Sequence, residues 1–549
     1  MISPIPPRPP SPALGWLLVM PAFAGMLISL LLPTVQTVLI SLESGGALTP
    51  STFVGLENYG QVLGSRSPFW PALGFSLSLV LMPLLVALVV GPPLALALDR
   101  AGGRIRRAGR VVLSLSLIVF SPTAVAASWL RGLRPEESGL VTVSRALGDP
   151  ATAPGALRLI VAAATFGLVC ALAVMAFLPA LRGESPGLAV LAVGGVVVLA
   201  MLAAGLQTFS TGLAMTRGGP VGSTRTLAGL QYDFAFVTAR PGMGAVVATV
   251  MGLALGVLGV AATIIVVAGS MRVSLLPGDP RPVETPGGAT ARRASPGGVV
   301  AGLLALVAVA AITLFLTWPW LSALLEPSTP SGAGLSVAGP RTQVNTWGPA
   351  LIGAVISVGT AYLAALGIGG LRPLGRRSEW LLLPFAPWLF VGVGPVSVAG
   401  WSNLRGMRLI DTFVALVQPF LVSVPALLIM TLLCKGLAER SGGDFLGGVV
   451  RPSLPMAGVL AGAVTLVNAQ DLLWPLLVVH DRAMVTAPVA QLLQVGQFGR
   501  VVADVGLTTP PAVVVIALAA VVAAQLLYLD RLAVTVGGRR DSPIPALPA

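Results

Sequence analysis

The stretch Met243–Val267 reads MGAVVATVMGLALGVLGVAATIIVV and carries no charge. At about 1.5 Å rise per residue, a helix of this length crosses a hydrocarbon core of about 30 Å. Runs of the same kind recur along the chain, which has 549 residues, is 55% hydrophobic and only 10% charged, and has a mean hydropathy of +0.91. A soluble globule could not cover so much apolar surface. A membrane barrel would show short alternating segments. The expectation is an all-α polytopic membrane protein.

Working outward gives twelve spans. Six are Leu14–Ile40, Pro71–Leu98, Val111–Leu130, Leu159–Leu178, Leu188–Leu206 and Met243–Val267. Six more are Val299–Leu321, Ala350–Ile368, Trp380–Ala399, Phe413–Leu433, Leu454–Val467 and Ala512–Leu529. The eleventh is short and is expected to continue toward Trp474. Leu14–Ile40 is too long for a signal-peptide core and reads as a retained first helix. Between the two sets lies a linker, Ser270–Gly298, rich in Pro, Gly and Arg. Such a segment can neither form a long helix nor pack a core. The expected organisation is a first unit at 1–269, a linker at 270–298 and a second unit at 299–549. Such a repeat often places a substrate path between its halves.

The net charge of +13 does not form one basic face, which excludes a nucleic-acid partner. The arginines cluster in short loops: Arg100 to Arg110, Arg272 to Arg293, Arg372 to Arg377, Lys435 to Arg451, and Arg531 to Arg540. Clusters at alternate helix ends mark the cytoplasmic side, so both termini are expected there. Lys435 is the only lysine, a compositional preference for Arg that fits a high-GC bacterium.

Thr216-Arg217-Gly218-Gly219-Pro220-Val221-Gly222-Ser223-Thr224 is a tight polar turn between apolar runs. It resembles the T-x-GGP-x-x-x-T segment of permeases of maltose-type, binding-protein-dependent ABC sugar importers. Other segments follow in the family's order. Gly15-Trp16-Leu17-Leu18 with Pro21 is similar to the family's opening, and Phe53-Val54-Gly55-Leu56-Glu57-Asn58-Tyr59 to its F-x-G-L-x-N-Y. Phe69-Trp70 with Ala72-Leu73 continues it, and Tyr232-Asp233-Phe234-Ala235-Phe236 resembles Y-x-x-A-F. Ala469-Gln470-Asp471-Leu472-Leu473-Trp474-Pro475-Leu476-Leu477 resembles the partner permease's W-N-E-F-L-W-P-L-L, with Ala469 and Gln470 in place of the usual Trp and Asn.

The resemblance implies two fused six-helix type I permease bundles in a bacterial cytoplasmic membrane, moving a sugar or related polyol. It implies a separate cytoplasmic ABC ATPase dimer, carrying the ATP and Mg that this chain does not bind, and an extracytoplasmic solute-binding lipoprotein. No Walker A loop exists here: Cys434-Lys435-Gly436 does not fit one. The family's E-A-A coupling loop precedes the fifth helix. At that place stand Arg182 and Glu184 in the first half, and Glu439, Arg440 and Asp444 in the second, with the motif's alanines and D-G-A missing. Thr216, Gly218, Gly219, Pro220, Thr224, Trp474 and Pro475 are expected in loops facing the binding protein.

Gln207, Thr208, Gln470 and Asp471 are candidates for the substrate path, because they end apolar spans with groups able to bond hydroxyls. Polar residues joining helices account for the first two equally well. A carboxylate such as Asp471 must face a cavity, a partner or interfacial water. Gly252 and Gly256 read as a close-packing pair. His480 has no companions for a metal site, and Cys170 and Cys434 lie in separate runs. No hydrolytic triad or paired carboxylates appear, so an enzyme is not expected. The alternative is an ion-gradient-driven carrier or a permease-derived scaffold that does not pump, suggested by the eroded coupling loops.

Overall fold

The computed structural model describes residues 12–46, 49–131, 141–276, 296–325, 339–441, 443–495 and 505–537. Among them, nine helices are long and apolar enough to cross a membrane: α1 (Pro12–Ser41), α2 (Phe69–Arg100), α4 (Ala153–Leu181), α5 (Pro186–Thr216), α6 (Pro241–Ala268), α7 (Pro296–Trp318), α8 (Pro340–Leu371), α11 (Leu446–Ala469) and α12 (Pro511–Arg531). Two bent pairs raise the number to eleven: α3 (Gly103–Val119 with Pro122–Ser128) bends by 75°, and α9 (Gly375–Trp388 with Val393–Gly406) by 74°. The shorter apolar helix α10 (Val424–Ala438) completes the order. The protein is an all-α polytopic membrane protein. Leu17, Leu81, Leu191 and Ile516 stay exposed, as a lipid-facing surface requires.

Besides the third and ninth spans, which are bent where continuous helices were expected, two spans differ from expectation in their bounds. The tenth was expected to start at Phe413, but its helix starts at Val424, and residues 407–423 are irregular. Pro419 has no N–H to donate and disfavours a helical Gln418. The freed backbone groups find partners elsewhere: Ser423 N–H donates to Ser357 O (3.0 Å), and Leu421 N–H to Ser29 Oγ (3.1 Å). Irregular backbone persists at such depth only when enclosed in this way. The eleventh lengthens at its N-terminal end, not toward Trp474. Asp471 accepts the N–H groups of Leu473 (3.2 Å) and Trp474 (3.3 Å), which opens a separate short helix, Leu473–Val478.

Packing recurs between the halves. Helix α2 packs on α4 and α5, and α8 packs on α10 and α11. The first helix of each half crosses over: α1 lies on α8, and α7 lies on α2 and α4. Glycines allow both approaches. A Cβ on Gly367 would sit 2.5 Å from Gly15 O, and one on Gly302 would sit 2.9 Å from Ala97 O. The last helices cross over as well, α6 onto α9 and α12 onto α3.

Beyond those last helices, β3 (Arg272–Leu275) and β4 (Leu532–Thr535) pair antiparallel, Val273 opposite Val534. This ribbon defines one end of the molecule. Strand β3 lies on α10 and β4 on α4. The linker otherwise falls at 277–295, outside the described residues. The described Arg106, Arg107, Arg272, Arg372, Lys435 and Arg531 all join contacts at this ribbon end.

At the opposite end, a short hairpin of β1 (Glu43–Gly46) and β2 (Thr49–Phe53) follows α1. Asn58 donates to Ser41 O (3.0 Å) and Glu43 O (2.8 Å), and Tyr59 Oη lies 2.8 Å from Ser41 Oγ. The Asn-Tyr pair of the sequence segment therefore fastens the chain to the end of α1.

Candidate functional site

Each bent helix is held by polar side chains of the other half. At the α9 break, Gln207 donates to Phe390 O (2.8 Å) and accepts from Gly392 N–H (2.7 Å). Gln231 donates to Gly394 O (2.6 Å) and Ser397 Oγ (2.9 Å). At the α3 break, Thr508 donates to Ser121 Oγ (2.9 Å), and Gln470 donates to Thr508 O (3.0 Å). Broken helices expose orphan backbone groups that lipid cannot satisfy; Gln207 and Gln231 answer them at α9, whereas at α3 the contact from the other half is made to the Ser121 side chain. Gln207 follows the Pro186–Leu206 segment of α5, and Gln470 follows α11, so they hold corresponding places. Thr208 is half-buried, and its hydroxyl donates to Ala204 O of its own helix (3.1 Å).

A groove of about 640 Å³ lies between α1, α6 and α9, lined by Thr34, Thr37, Thr249, Leu253, Val257 and Trp388 among others. None of Gln207, Thr208, Gln470 or Asp471 lines it, so the four path candidates do not form one cavity with it. Its hydroxyls are engaged by their own helices: Thr34 bonds Leu30 O, Thr37 bonds Pro33 O, and Thr249 bonds Ala245 O. Thr34 also accepts from Trp388 Nε1 (3.1 Å). Gly252 and Gly256 line this groove opposite Pro395 and Pro387, and an added Cβ at either would meet its nearest neighbour at an ordinary 3.6 Å, so no close approach requires these glycines. In the sequence only the three-residue spacing of Thr34 and Thr37 on one face of α1 marks this groove, and nothing marks Thr249 of α6.

At the ribbon end the candidate coupling residues divide. Arg182 Nη1 donates to Asp530 O, and its Nε lies 3.9 Å from Asp99. Asp530, 4% exposed, also binds Arg106 Nε (2.7 Å) and Arg107 Nε (2.9 Å). Glu439 bridges Arg372 Nη2 (2.8 Å) and Arg272 Nη1 (3.3 Å). Burial opposes ionisation of Glu439, but Arg372 and then Arg272 hold its carboxyl below the usual range. Arg182 and Glu439 thus turn inward, onto the ribbon and its neighbours. Glu184, Arg440 and Asp444 are exposed, although Arg440 donates to Leu275 O (2.7 Å) and Asp444 Oδ1 accepts from Gly447 N–H (2.9 Å). Added Cβ atoms on Gly183 and Gly436 would meet Val534 O and Val273 O at 1.9 and 2.0 Å. The loops that would carry coupling helices are pressed against the ribbon.

At the other end, the GGP loop is a closed unit. Thr216 Oγ1 and Thr224 Oγ1 lie 2.8 Å apart, and Gly219 N–H donates to Thr216 O (2.7 Å). Gly218, Gly219 and Gly222 have φ of +92°, +75° and +78°, which a side chain resists. Pro220 starts the loop's single helical turn, and Val221 stands out at 96% exposed. Arg225 pairs with Asp233 (3.1 Å) beneath it. Trp474 and Pro475 are instead buried, with Trp474 Nε1 donating to Ala415 O (2.8 Å). They support this end from below and do not line its surface, because the irregular 407–423 segment covers them. His480 is solvated, 3.7 Å from Asp411.

No protein-family model matches the chain. No curated protein matches it either.

Proposed function

We propose that the chain is a fused permease of an ABC importer for a sugar or related polyol, served by a separate cytoplasmic ATPase dimer and an extracytoplasmic solute-binding lipoprotein. The observation that carries this reading is the crosswise hold on two helices bent by 74° and 75°. Gln207 of the first half reaches the α9 break, and Thr508 of the second reaches the α3 break, held in place by Gln470 of its own half. Rocking one half against the other would pull on both breaks together, which is the motion alternating access requires. The GGP loop, closed by its threonine clasp and exposed at its tip, is the surface suited to a delivering protein. A cytoplasmic membrane with both termini inside follows from the same reading. Reconstitution with a candidate ATPase and binding protein tests it: solute-stimulated ATP hydrolysis is expected. Failure with every candidate solute would sink it.

A second reading, a permease-derived scaffold that does not pump, is favoured by one observation. Arg182 and Glu439 are committed to partners within the chain, and the ribbon lies against both loops. Solute uptake unchanged on deletion would favour the scaffold over the importer.

A further inference from the structure

Beside Asp471 is a niche of about 10 Å³, room for one atom-sized occupant. It is lined by Asn345, Thr346, Gln418, Asn468, Asp471 and Thr486, among others. The amide nitrogens are all engaged: Asn345 donates to Ala483 O (3.0 Å), Asn468 to Ala350 O (3.4 Å), and Gln418 to Asp471 Oδ2 (3.1 Å). That leaves three amide oxygens without a donor among the described residues. Thr346 is satisfied, donating to Thr342 O and accepting from Ala487 N–H. Thr486 is not: its side chain is 3% exposed, and its Oγ1 has no hydrogen-bond partner.

The niche therefore brings together a carboxylate, three amide side chains whose nitrogens are already committed, and the unpartnered Thr486 hydroxyl. A water there would find acceptors for its protons but only the Thr486 hydroxyl to donate to it. Among the described residues no cation pairs with Asp471. The carboxylate also lies just past the C-terminus of α11, where the helix dipole adds negative potential. The carboxylate accepts from the N–H groups of Leu473 and Trp474 and from Gln418 Nε2, none of which carries a charge.

We propose that this niche binds a sodium ion, held by Asp471, Thr486 and the amide oxygens of Asn345, Gln418 and Asn468. Hard oxygen ligands suit such an ion, and the single carboxylate balances its single charge. The small space favours sodium over potassium, since cavity size and ligand number set such choices. The site is independent of the importer reading: its test needs neither ATPase nor solute.

The experiment uses the full chain in lipid nanodiscs, with NaCl, KCl or choline chloride at equal ionic strength. The expected result is a saturable rise in Tm with sodium, at least tenfold weaker binding of potassium, and no response to choline. Thr486→Val should raise the sodium Kd at least tenfold while Thr486→Ser keeps it, and Asp471→Asn should abolish the response. Should Asp471→Asn fail to fold, the Thr486 pair carries the test by equilibrium sodium binding. Equal responses to the three salts would overturn the proposal. So would stabilisation that follows pH and ignores sodium, or unchanged sodium affinity in Thr486→Val.

Discussion

Replacing Glu439 with Gln separates the two readings of the ribbon end. Glu439 joins two guanidiniums, with Arg372 at 2.8 Å and Arg272 at 3.3 Å. Its side chain is 27% exposed, so the pair lies between two known limits. Exposed ion pairs contribute under about 1 kcal/mol, whereas breaking a fully buried pair costs about 3–5 kcal/mol. The substitution removes one charge from three and leaves Arg272 with only the exposed Glu184 as an acidic partner, 3.5 Å away. The expected loss is about 2 kcal/mol. Thermal unfolding of the purified chain should show a lower Tm, and Arg372→Gln should give a similar fall. The double variant should lose less than the sum, because the two changes remove one interaction. The pH dependence has a definite sign. The carboxyl is held below its ordinary value of about 4.3, so its contribution is present above that pH and is lost as pH falls through the lower folded value. Wild type and Glu439→Gln should therefore converge in acid, once pH has fallen below the lowered folded value. If Glu439→Gln leaves Tm unchanged at pH 7 but abolishes stimulation of a reconstituted ATPase, the residue is a docking acid and the argument for an internal staple fails.

Three further outcomes follow from particular contacts. Gly436→Ala places a Cβ 2.0 Å from Val273 O, and such overpacking costs about 1–3 kcal/mol; Tm should fall and proteolysis near 532–537 should quicken, while Gly458→Ala, with open space around it, stays neutral or gains slightly. Gln207→Leu strands Gly392 N–H and Phe390 O, at about 1–3 kcal/mol for each group left unsatisfied, whereas Thr208→Ala should leave Tm unchanged. Burial raises the Asp471 carboxyl to about 6, against the opposing hydrogen bonds of Trp474 and Leu473. Asn345, Thr346, Gln418, Asn468 and Thr486 around it are uncharged. In sodium-free buffer, stability should therefore rise as pH falls from above 6 toward the unfolded value of 3.8, and Asp471→Asn should flatten that rise.

The sequence by itself determined the class. Long uncharged runs such as Met243–Val267 can lower their free energy only in a bilayer, and within it only as helices, because no water is there to bond the backbone. It also marked positions whose chemistry is local: the glycines of the GGP loop, which take positive φ, and Gln207 and Gln470 at the ends of apolar spans. Tertiary structure decided what those residues touch. Nothing in periodicity says that α1 crosses onto α8, that Gln207 reaches the break in α9, or that Glu439 turns back to Arg272 across the ribbon. Trp474 was legible as part of a segment but not as a buried prop, because its cover comes from residues 407–423, which the apolar pattern had assigned in part to a helix. Hydropathy is a property of each segment against its solvent. Partner choice depends on backbone groups that only the packed chain leaves unsatisfied, and those are what the structure adds.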